Sequence, residues 1–144
     1  MKIYMDSCCY NRPFDDASQD KVRIESEAIL TIINKCGLKK WDLVGSDILN
    51  EELDNIVNLI KKQKVLKLYS AITSFIDINE NIISKAKEIQ QLGISPFDAL
   101  HLATAEYGNV DVFLTTDKKL LNKALDLDLK MIINNPVIWA MEVL

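Results

Sequence analysis

The sequence predicts an α/β domain in which a mainly parallel sheet carries helices on both faces. Short β-type runs alternate with helical patterns, and only short turns connect them. The 144 residues, 49% of them hydrophobic, match the size and apolar content of one domain with its own core. No repeat or linker divides the chain, so we expect a single domain over residues 1–144.

The first half of the chain alternates predicted strands with amphipathic helices. Two strand candidates, residues 2–5 and 41–45, enclose a helical pattern over residues 17–36. Ser46 is the predicted N-cap of the next helix, whose apolar stripe continues to Ile60. This alternation places the second strand next to a helix at each of its ends.

The second half of the chain continues the same alternation. Its predicted segments are a helix over 64–74, an extended stretch over 75–78, a helix over 80–92, a strand over 110–116, a helix over 117–125 and a strand over 129–134. Between them, SPFDALHLATAEYG predicts a helix with Ser95 as N-cap, Pro96 in the first position and Gly108 as the stop.

The composition limits the compartment and the cysteine chemistry. No apolar run approaches the ~20 residues of a transmembrane helix, and Asp6 and Arg12 interrupt the start before a signal-peptide core develops. We therefore expect a cytoplasmic protein without a membrane segment. Cys8, Cys9 and Cys36 form neither a CxxC pair nor a disulfide framework, and we expect reduced packing residues.

Two carboxylates follow directly after predicted strands. Asp6 ends the first strand, and Asp117 ends the DVFLTT strand. Ligands of open α/β sheets bind beyond the carboxyl ends of the strands, so both positions are candidates for a functional site. Taken singly, each aspartate is better explained as the cap of the helix that follows it.

Two further carboxylates lie on predicted helices and face the core. Glu52 lies four residues from both Ile48 and Ile56, so it projects from the apolar stripe of its helix. Asp98 lies in the first turn of a helix that is apolar nearly all round. It is either the capping-box partner of Ser95 or a carboxylate that needs a metal or another partner.

Three other polar groups compete with these four acids. Glu51 is predicted to lie on the solvated side of its helix, whereas Glu25 lies between apolar positions and is the main competitor of Glu52. The single histidine, His101, argues against a zinc or di-iron site, and we expect it to make local hydrogen bonds on its helix.

Four carboxylates in one cleft would repel one another, and some would hold protons. A hard dication such as Mg²⁺ or Mn²⁺ takes oxygen ligands and removes that conflict. Four such acids would also account for the whole net charge of −4, so an acidic total does not exclude a nucleic-acid substrate. Sites of this kind serve phosphoryl chemistry, because the metal lowers the pKa of a bound water and stabilises the leaving oxygen.

The four acids fall in four ordered motifs: IYMDSCCYNRPFDD, VGSDILNEEL, GISPFDALHLATAEY and VFLTTDKKLL. This set resembles the PIN domain nucleases, in particular the small VapC-type toxins, and the likeness extends to INNPVIWAM near the end of the chain. The resemblance implies a three-layer sandwich, Mg²⁺- or Mn²⁺-dependent cleavage of single-stranded RNA, an antitoxin partner and a homodimer. It carries over Asp6, Glu52, Asp98 and Asp117 as catalytic and metal-binding residues, with Thr116 as a polar residue that orients metal or water.

The segment after Asp6 departs from the family pattern. The family usually has Thr or Ser two residues beyond the first aspartate, whereas this chain has Ser7, a supporting candidate, followed by Cys8. A thiol is a poorer partner for a hard metal. Cys8 does not fit a phosphatase nucleophile either, because only three residues separate it from Arg12, where a tyrosine-phosphatase loop needs five.

Three basic residues are candidates for contact with the substrate. Arg12 could bind a substrate phosphate from the rim of the sheet, or form a salt bridge with Asp15 or Asp16. Lys118 and Lys119 place positive charge beside the last aspartate, where a phosphate backbone could pass, although solvated lysines on an amphipathic helix are an equal explanation.

Two other functions stay open at this point. The first is a metal-dependent phosphatase or phosphoacceptor domain, although the DxDxT signature is absent after Asp6 and a receiver domain would need paired acids there. The second is a non-catalytic PIN-like module that binds nucleic acid or protein. The presence of all four acids argues against this second function.

Overall fold

The computed structural model describes residues Met1–Leu144, and its centre is a sheet of five parallel strands. The strands are β1 (Lys2–Met5), β2 (Asp42–Ser46), β3 (Ser74–Ile76), β4 (Val112–Leu114) and β5 (Ile132–Asn134). Their order is β3-β2-β1-β4-β5, and every neighbouring pair is parallel. The predicted α/β class is therefore confirmed, and β1 is the central strand.

Helices cover both faces of the sheet. They are α1 (Ser7–Asn11), α2 (Asp20–Gly37), α3 (Asp47–Asp54), α4 (Leu59–Tyr69), α5 (Glu80–Gln91), α6 (Pro96–Tyr107), α7 (Lys118–Ala124) and α8 (Pro136–Val143), with a 3₁₀ turn at Arg12–Phe14. The chain moves from β1 to β3 towards one edge and from β3 to β5 towards the other. Right-handed crossovers then place the two sets of connecting helices on opposite faces, which gives the three-layer sandwich. None of these helices combines the length and apolar character needed to cross a membrane.

The central strands align their carboxyl ends. Ile3, Tyr4 and Met5 of β1 are fully buried within a continuous apolar core. Met5 pairs with Leu114 at the end of β4, so the residues that follow these two strands emerge side by side. The chain leaves β1 towards β2 while β4 lies on the other side, which makes this edge the topological switch point where ligands bind in open α/β sheets.

Helix α6 has the predicted boundaries. Ser95 has extended backbone angles at the N-cap, Pro96 occupies the first turn, and Gly108 is the C-cap residue. The buried residues of this helix are Ala99, His101, Leu102, Ala103, Thr104 and Ala105. Because the helix is buried on most of its surface, its polar groups have to find partners inside the protein.

The predicted helix from Ser46 to Ile60 is wrong in its second half. Ser46 does cap α3, since its side chain accepts a hydrogen bond from a backbone N–H of the first turn, but α3 ends at Asp54. Asn58 then caps a new helix through its own side chain, and this local bond competes with continuation of the first helix. Val57 and Ile60 are 93% and 69% exposed rather than part of the core stripe.

Several boundaries also differ from the sequence prediction. The strand expected over residues 110–116 is only Val112–Leu114, so two threonines separate its end from Asp117. The helix expected over residues 64–74 is α4, which ends at Tyr69. The short helix α1, the 3₁₀ turn and the terminal α8 have no counterpart among the predicted segments.

Candidate active site

Asp6 lies directly after the central strand and is only 5% exposed. Its backbone N–H donates to the carbonyl of Leu114 at 2.9 Å, which extends the pairing of β1 with β4 by one residue. Its Oδ1 accepts the backbone N–H of Ser7 at 2.7 Å, and its Oδ2 accepts the hydroxyl of Thr115 at 2.9 Å. Asp6 is therefore both the cap of α1 and a carboxylate held firmly at the edge of the sheet.

Glu52 reaches the same place from α3. Its side chain is 28% exposed, its Oε2 accepts the hydroxyl of Ser7 at 3.3 Å, and its Oε1 contacts Nε2 of His101. The neighbouring Glu51 is exposed on the other side of the helix. Ser7 therefore touches both carboxylates, through its backbone N–H on Asp6 and through its hydroxyl on Glu52.

His101 is fully buried between these elements, and the prediction of local hydrogen bonds on its helix is wrong. Its Nδ1 lies 2.6 Å from the hydroxyl of Tyr4 on β1, while its Nε2 contacts Glu52 and lies 3.8 Å from Oδ1 of Asp6. Asp6, Glu52 and His101 each offer a metal-type ligand atom, and these atoms lie within 4.8 Å of one another. In the sequence, His101 follows Asp98 by one helical turn, and this spacing is the signal that could have placed His101 near the site.

Asp98 lies in the first turn of α6 and faces the same region. Its Oδ2 accepts the hydroxyl of Ser95 at 2.8 Å, and Ser95 makes no bond to the backbone of the first turn, so no capping box forms. Burial raises the pKa of the Asp98 carboxyl; the Ser95 hydroxyl lowers it, the charges of Asp6 and Asp117 raise it further, and His101 lowers it. Asp98 thus shares the electrostatic field of the other acids.

Asp117 lies at the rim of the site as the N-cap of α7. Its Oδ1 accepts the backbone N–H groups of Lys119 and Leu120 at 3.0 and 3.2 Å. Its own backbone N–H donates to the hydroxyl of Thr115 at 3.1 Å. Asp117 is therefore linked to Asp6 through a single hydroxyl. We call Asp6, Glu52, Asp98 and Asp117 the carboxylate site.

Thr115 is a site residue that the sequence did not single out. It has no exposed surface, and its hydroxyl donates to Asp6 while accepting from the backbone of Asp117. Its neighbour Thr116, the residue named from the sequence, is buried, and its backbone N–H donates to Sγ of Cys8 at 3.4 Å. The role of Thr116 towards metal or water stays a prediction. The strand register that brings Thr115 beside Asp6 is not readable from the sequence.

Cys8 and Cys9 lie beside the site on α1, whereas Cys36 lies in the last turn of α2. Sγ of Cys8 is 3.3 Å from the hydroxyl of Thr115, so this threonine provides a hydroxyl close to the position where Cys8 lacks one. Burial raises the pKa of the Cys9 thiol well above its usual value and that of Cys36 to about 11. All three are free thiols, and two of them are fully buried, in agreement with packing residues.

Arg12 belongs to a separate ionic cluster. Its Nε lies 3.1 Å from Oε1 of Glu25, an ion-pair contact rather than an aligned hydrogen bond, and its Nη1 lies 3.3 Å from Oδ2 of Asp15. Lys61 contacts the other oxygen of Asp15 at 3.3 Å, and Asn135 donates to Oε2 of Glu25 at 2.7 Å. The salt bridge from Arg12 to Asp15 is one of the two predicted alternatives. We call Glu25, Arg12, Asp15 and Lys61 the Glu25 network.

The donor set of the carboxylate site fits a hard divalent cation. No Lys or Arg side chain pairs with any of its four acids, and His101 is the single basic group in contact with them. Carboxylate oxygens are the ligands that Mg²⁺ and Mn²⁺ prefer, and a dication would offset charge that the protein leaves unbalanced. Lys118 and Lys119 are exposed at the start of α7, beside this rim.

A parallel three-layer α/β sandwich with an acidic site at its switch point is the class of protein that the fold and the site define. A family model of the PIN domain matches residues 17–125, and the chain belongs to this family, whose members are nucleases. The match includes Glu52, Asp98 and Asp117. Asp6 precedes the matched stretch, and it is the fold that brings it to the site.

Solved structures with the same fold have low sequence identity to this chain. VapBC2 from Rickettsia felis, bound to a DNA fragment from their promoter, aligns with a TM-score of 0.63 and 15% identity, covering 94% of this chain and 98% of that one. VapBC-1 from nontypeable Haemophilus influenzae aligns with a TM-score of 0.60 and 17% identity, with the same coverage of both chains. PAE2754 from Pyrobaculum aerophilum aligns with a TM-score of 0.52 and 14% identity, covering 99% of this chain and 90% of that one. No curated protein sequence matches the chain.

Proposed function

We propose that the protein is a Mg²⁺- or Mn²⁺-dependent endoribonuclease that hydrolyses phosphodiester bonds of single-stranded RNA. The observation that carries this proposal is the meeting of Asp6 and Glu52, from β1 and α3, in a buried site without a Lys or Arg partner. Asp98 and Asp117 add two carboxylates whose charge reaches the same region. Membership of the PIN domain family supports nuclease chemistry at this site.

The four acids would take different positions around a bound metal ion. Asp6 and Glu52 would be its inner ligands, with Asp98 and Asp117 at the rim, and the bound dication would activate water and stabilise the leaving oxygen. Ser7 and Thr115 fix the two oxygens of Asp6, so its geometry exists before the substrate arrives. Such preorganised ligands lose little freedom when the charged transition state forms.

The proposed substrate and partner follow from the family and from the surface. Lys118 and Lys119 lie exposed beside the rim, where they can attract the phosphate backbone of a single strand. The VapBC structures are complexes, which supports a second proposal, that this chain is the toxin of a toxin–antitoxin pair. Val57, Leu59 and Ile60 are neighbouring apolar residues with exposed side chains, and this surface supports association with an antitoxin or with a second copy in a homodimer. We propose the cytoplasm as the compartment of this assembly.

A cleavage assay with matched variants tests the function. Antitoxin-free protein is incubated with labelled single-stranded RNA and Mg²⁺ or Mn²⁺, with EDTA as the metal-free control. We expect Asp6→Asn and Glu52→Gln to lower cleavage by about 10²–10³-fold, the loss typical of removing one preorganised electrostatic group. Glu51→Gln, on the exposed side of the same helix, should cleave like the wild type.

Three results would contradict the proposal in different ways. Absence of cleavage with either metal would contradict the proposed enzymatic activity. Hydrolysis of small phosphomonoesters but not of RNA favours a metal-dependent phosphatase. RNA binding that is unaffected by Asp6→Asn and leads to no cleavage favours a non-catalytic binding module.

A further inference from the structure

A chain of three buried side chains leads from the core to Glu52. The hydroxyl of Tyr4 lies 2.7 Å from Oγ of Ser46 and 2.6 Å from Nδ1 of His101. All three residues have no exposed surface, so their polar atoms depend on hydrogen-bond partners inside the protein. On its far side His101 contacts Glu52 through Nε2. We call these three residues the Ser46–Tyr4–His101 relay.

The direction of the relay follows from counting its protons. Oγ of Ser46 already accepts the backbone N–H of Leu49 at 3.1 Å as the cap of α3, and its only other partner is the Tyr4 oxygen. The Ser46 proton must therefore go to Tyr4. The Tyr4 proton then has one acceptor, Nδ1 of His101, which must be unprotonated.

The opposite direction leaves a buried donor unsatisfied. If Nδ1 of His101 carried a proton, it would donate to Tyr4, and Tyr4 would donate to Ser46. The Ser46 proton would then have no acceptor among the protein atoms around it, and folded proteins avoid this because a buried unpaired donor is costly.

We infer that the relay makes Nδ1 of His101 the acceptor of the Tyr4 hydroxyl and places the ring proton on Nε2, and that this N–H positions Glu52. A ring nitrogen that carries a proton has no lone pair for a cation, so His101 does not bind the metal, although its Nε2 lies among the ligand atoms. His101 donates to Oε1 of Glu52, while Ser7 donates to Oε2. Tyr4 and His101 are thus positioning residues, and the metal site is built from oxygen ligands.

Nitrogen NMR tests the assignment directly, because His101 is the only histidine in the chain. In ¹⁵N-labelled protein without a histidine tag, at neutral pH, long-range proton–nitrogen correlations should show Nδ1 at the frequency of an unprotonated ring nitrogen and Nε2 as protonated. A spectrum with a protonated Nδ1, neutral or cationic, would overturn the inference. The wild-type spectrum alone decides this, whether or not a variant folds.

A pair of tyrosine variants tests whether Tyr4 sets this state. Tyr4→Phe keeps the ring, which stacks on Phe113 at a centroid distance of 5.4 Å, but removes the donor to Nδ1. We expect the Nδ1 signal to shift and both neutral forms of His101 to appear. Tyr10→Phe is the matched control, since Tyr10 is equally buried and its hydroxyl has no partner, and it should leave the histidine signals unchanged. Identical histidine spectra for Tyr4→Phe and wild type would overturn the role of Tyr4.

Titration with Mg²⁺ tests the positioning role, and this step alone rests on the proposed function. When backbone signals of the site have shifted to saturation, Nε2 should still carry its proton. Loss of that proton would show His101 as a ligand and overturn the inference. If no signal responds to Mg²⁺, the proposed function fails, while the metal-free spectrum still decides the state of His101.

Discussion

The protein buries acidic side chains in two regions, and the regions differ in what balances their charge. In the Glu25 network, the carboxylates of Glu25 and Asp15 lie against a guanidinium and an ammonium group, so charges of both signs are equal in number. In the carboxylate site, none of the four acids has a Lys or Arg partner, and His101 contacts only Asp6 and Glu52. Both regions take a residue from the segment just after β1, Asp6 in the carboxylate site and Arg12 in the Glu25 network.

This difference shows that burial of an acid does not by itself indicate function. Glu25 is 2% exposed, more buried than Glu52, yet Arg12 explains its place in the fold. A buried carboxylate whose charge the protein leaves unbalanced requires a proton or a cation from outside. We therefore expect the Glu25 network to govern stability and the carboxylate site to govern metal binding.

Removal of the guanidinium should give the largest loss of stability. Arg12→Met leaves Glu25 buried without its cation, and we expect the free energy of unfolding in urea to fall by about 3–5 kcal/mol. Arg23→Met is the control, because its pair with Asp20 is exposed and should contribute about 0–1 kcal/mol. Equal losses in the two variants would mean that the Glu25 network does not stabilise the fold as described.

Removal of a charge from the carboxylate site should have the opposite sign. Asp98→Asn removes a carboxylate that burial and neighbouring acids disfavour, and we expect metal-free protein to gain about 0.5–2 kcal/mol. The exposed Asp126→Asn is the control and should leave the free energy of unfolding unchanged. A loss of stability in Asp98→Asn would contradict the account in which the Asp98 carboxylate has no cationic partner in the folded, metal-free protein.

The pH dependence of this gain has a defined sign. The folded pKa of Asp98 is raised above the ordinary value of 3.8, so the unfolded chain releases the proton first. Wild-type stability should therefore fall as pH rises from the unfolded pKa through the folded one, and stay lowered above that window. Urea unfolding of wild type and Asp98→Asn should converge at pH values below both pKa values.

Much of the fold and of the site follows from local sequence signals. Helix α6 could be predicted because Ser95, Pro96 and Gly108 mark its ends and its apolar surface marks its burial. Asp6 could be proposed because parallel sheets bind ligands beyond the ends of their strands. The break between α3 and α4 was missed, because the cap at Asn58 outweighs apolar residues that continue the helical spacing.

The partners within the site depend on contacts between distant segments. Thr115 meets Asp6 through the register of β1 with β4, 109 residues apart in sequence. His101 meets Tyr4 across 97 residues, so its spacing on α6 cannot reveal that partner. The distinction between Glu25 and Glu52 has the same origin. Both are acids on apolar helix faces, and they differ in that Glu25 has Arg12 as a partner in the folded protein whereas Glu52 has no Lys or Arg partner.

Calorimetric titration with Mg²⁺ and Mn²⁺ tests most directly whether unbalanced carboxylates form a metal site. Folded wild type should bind the ions, Asp6→Asn should lose affinity by at least about 10-fold, and folded Glu25→Gln should bind like the wild type. Absence of binding in the wild type, or equal binding by wild type and Asp6→Asn, would contradict a metal site at the end of the central strand.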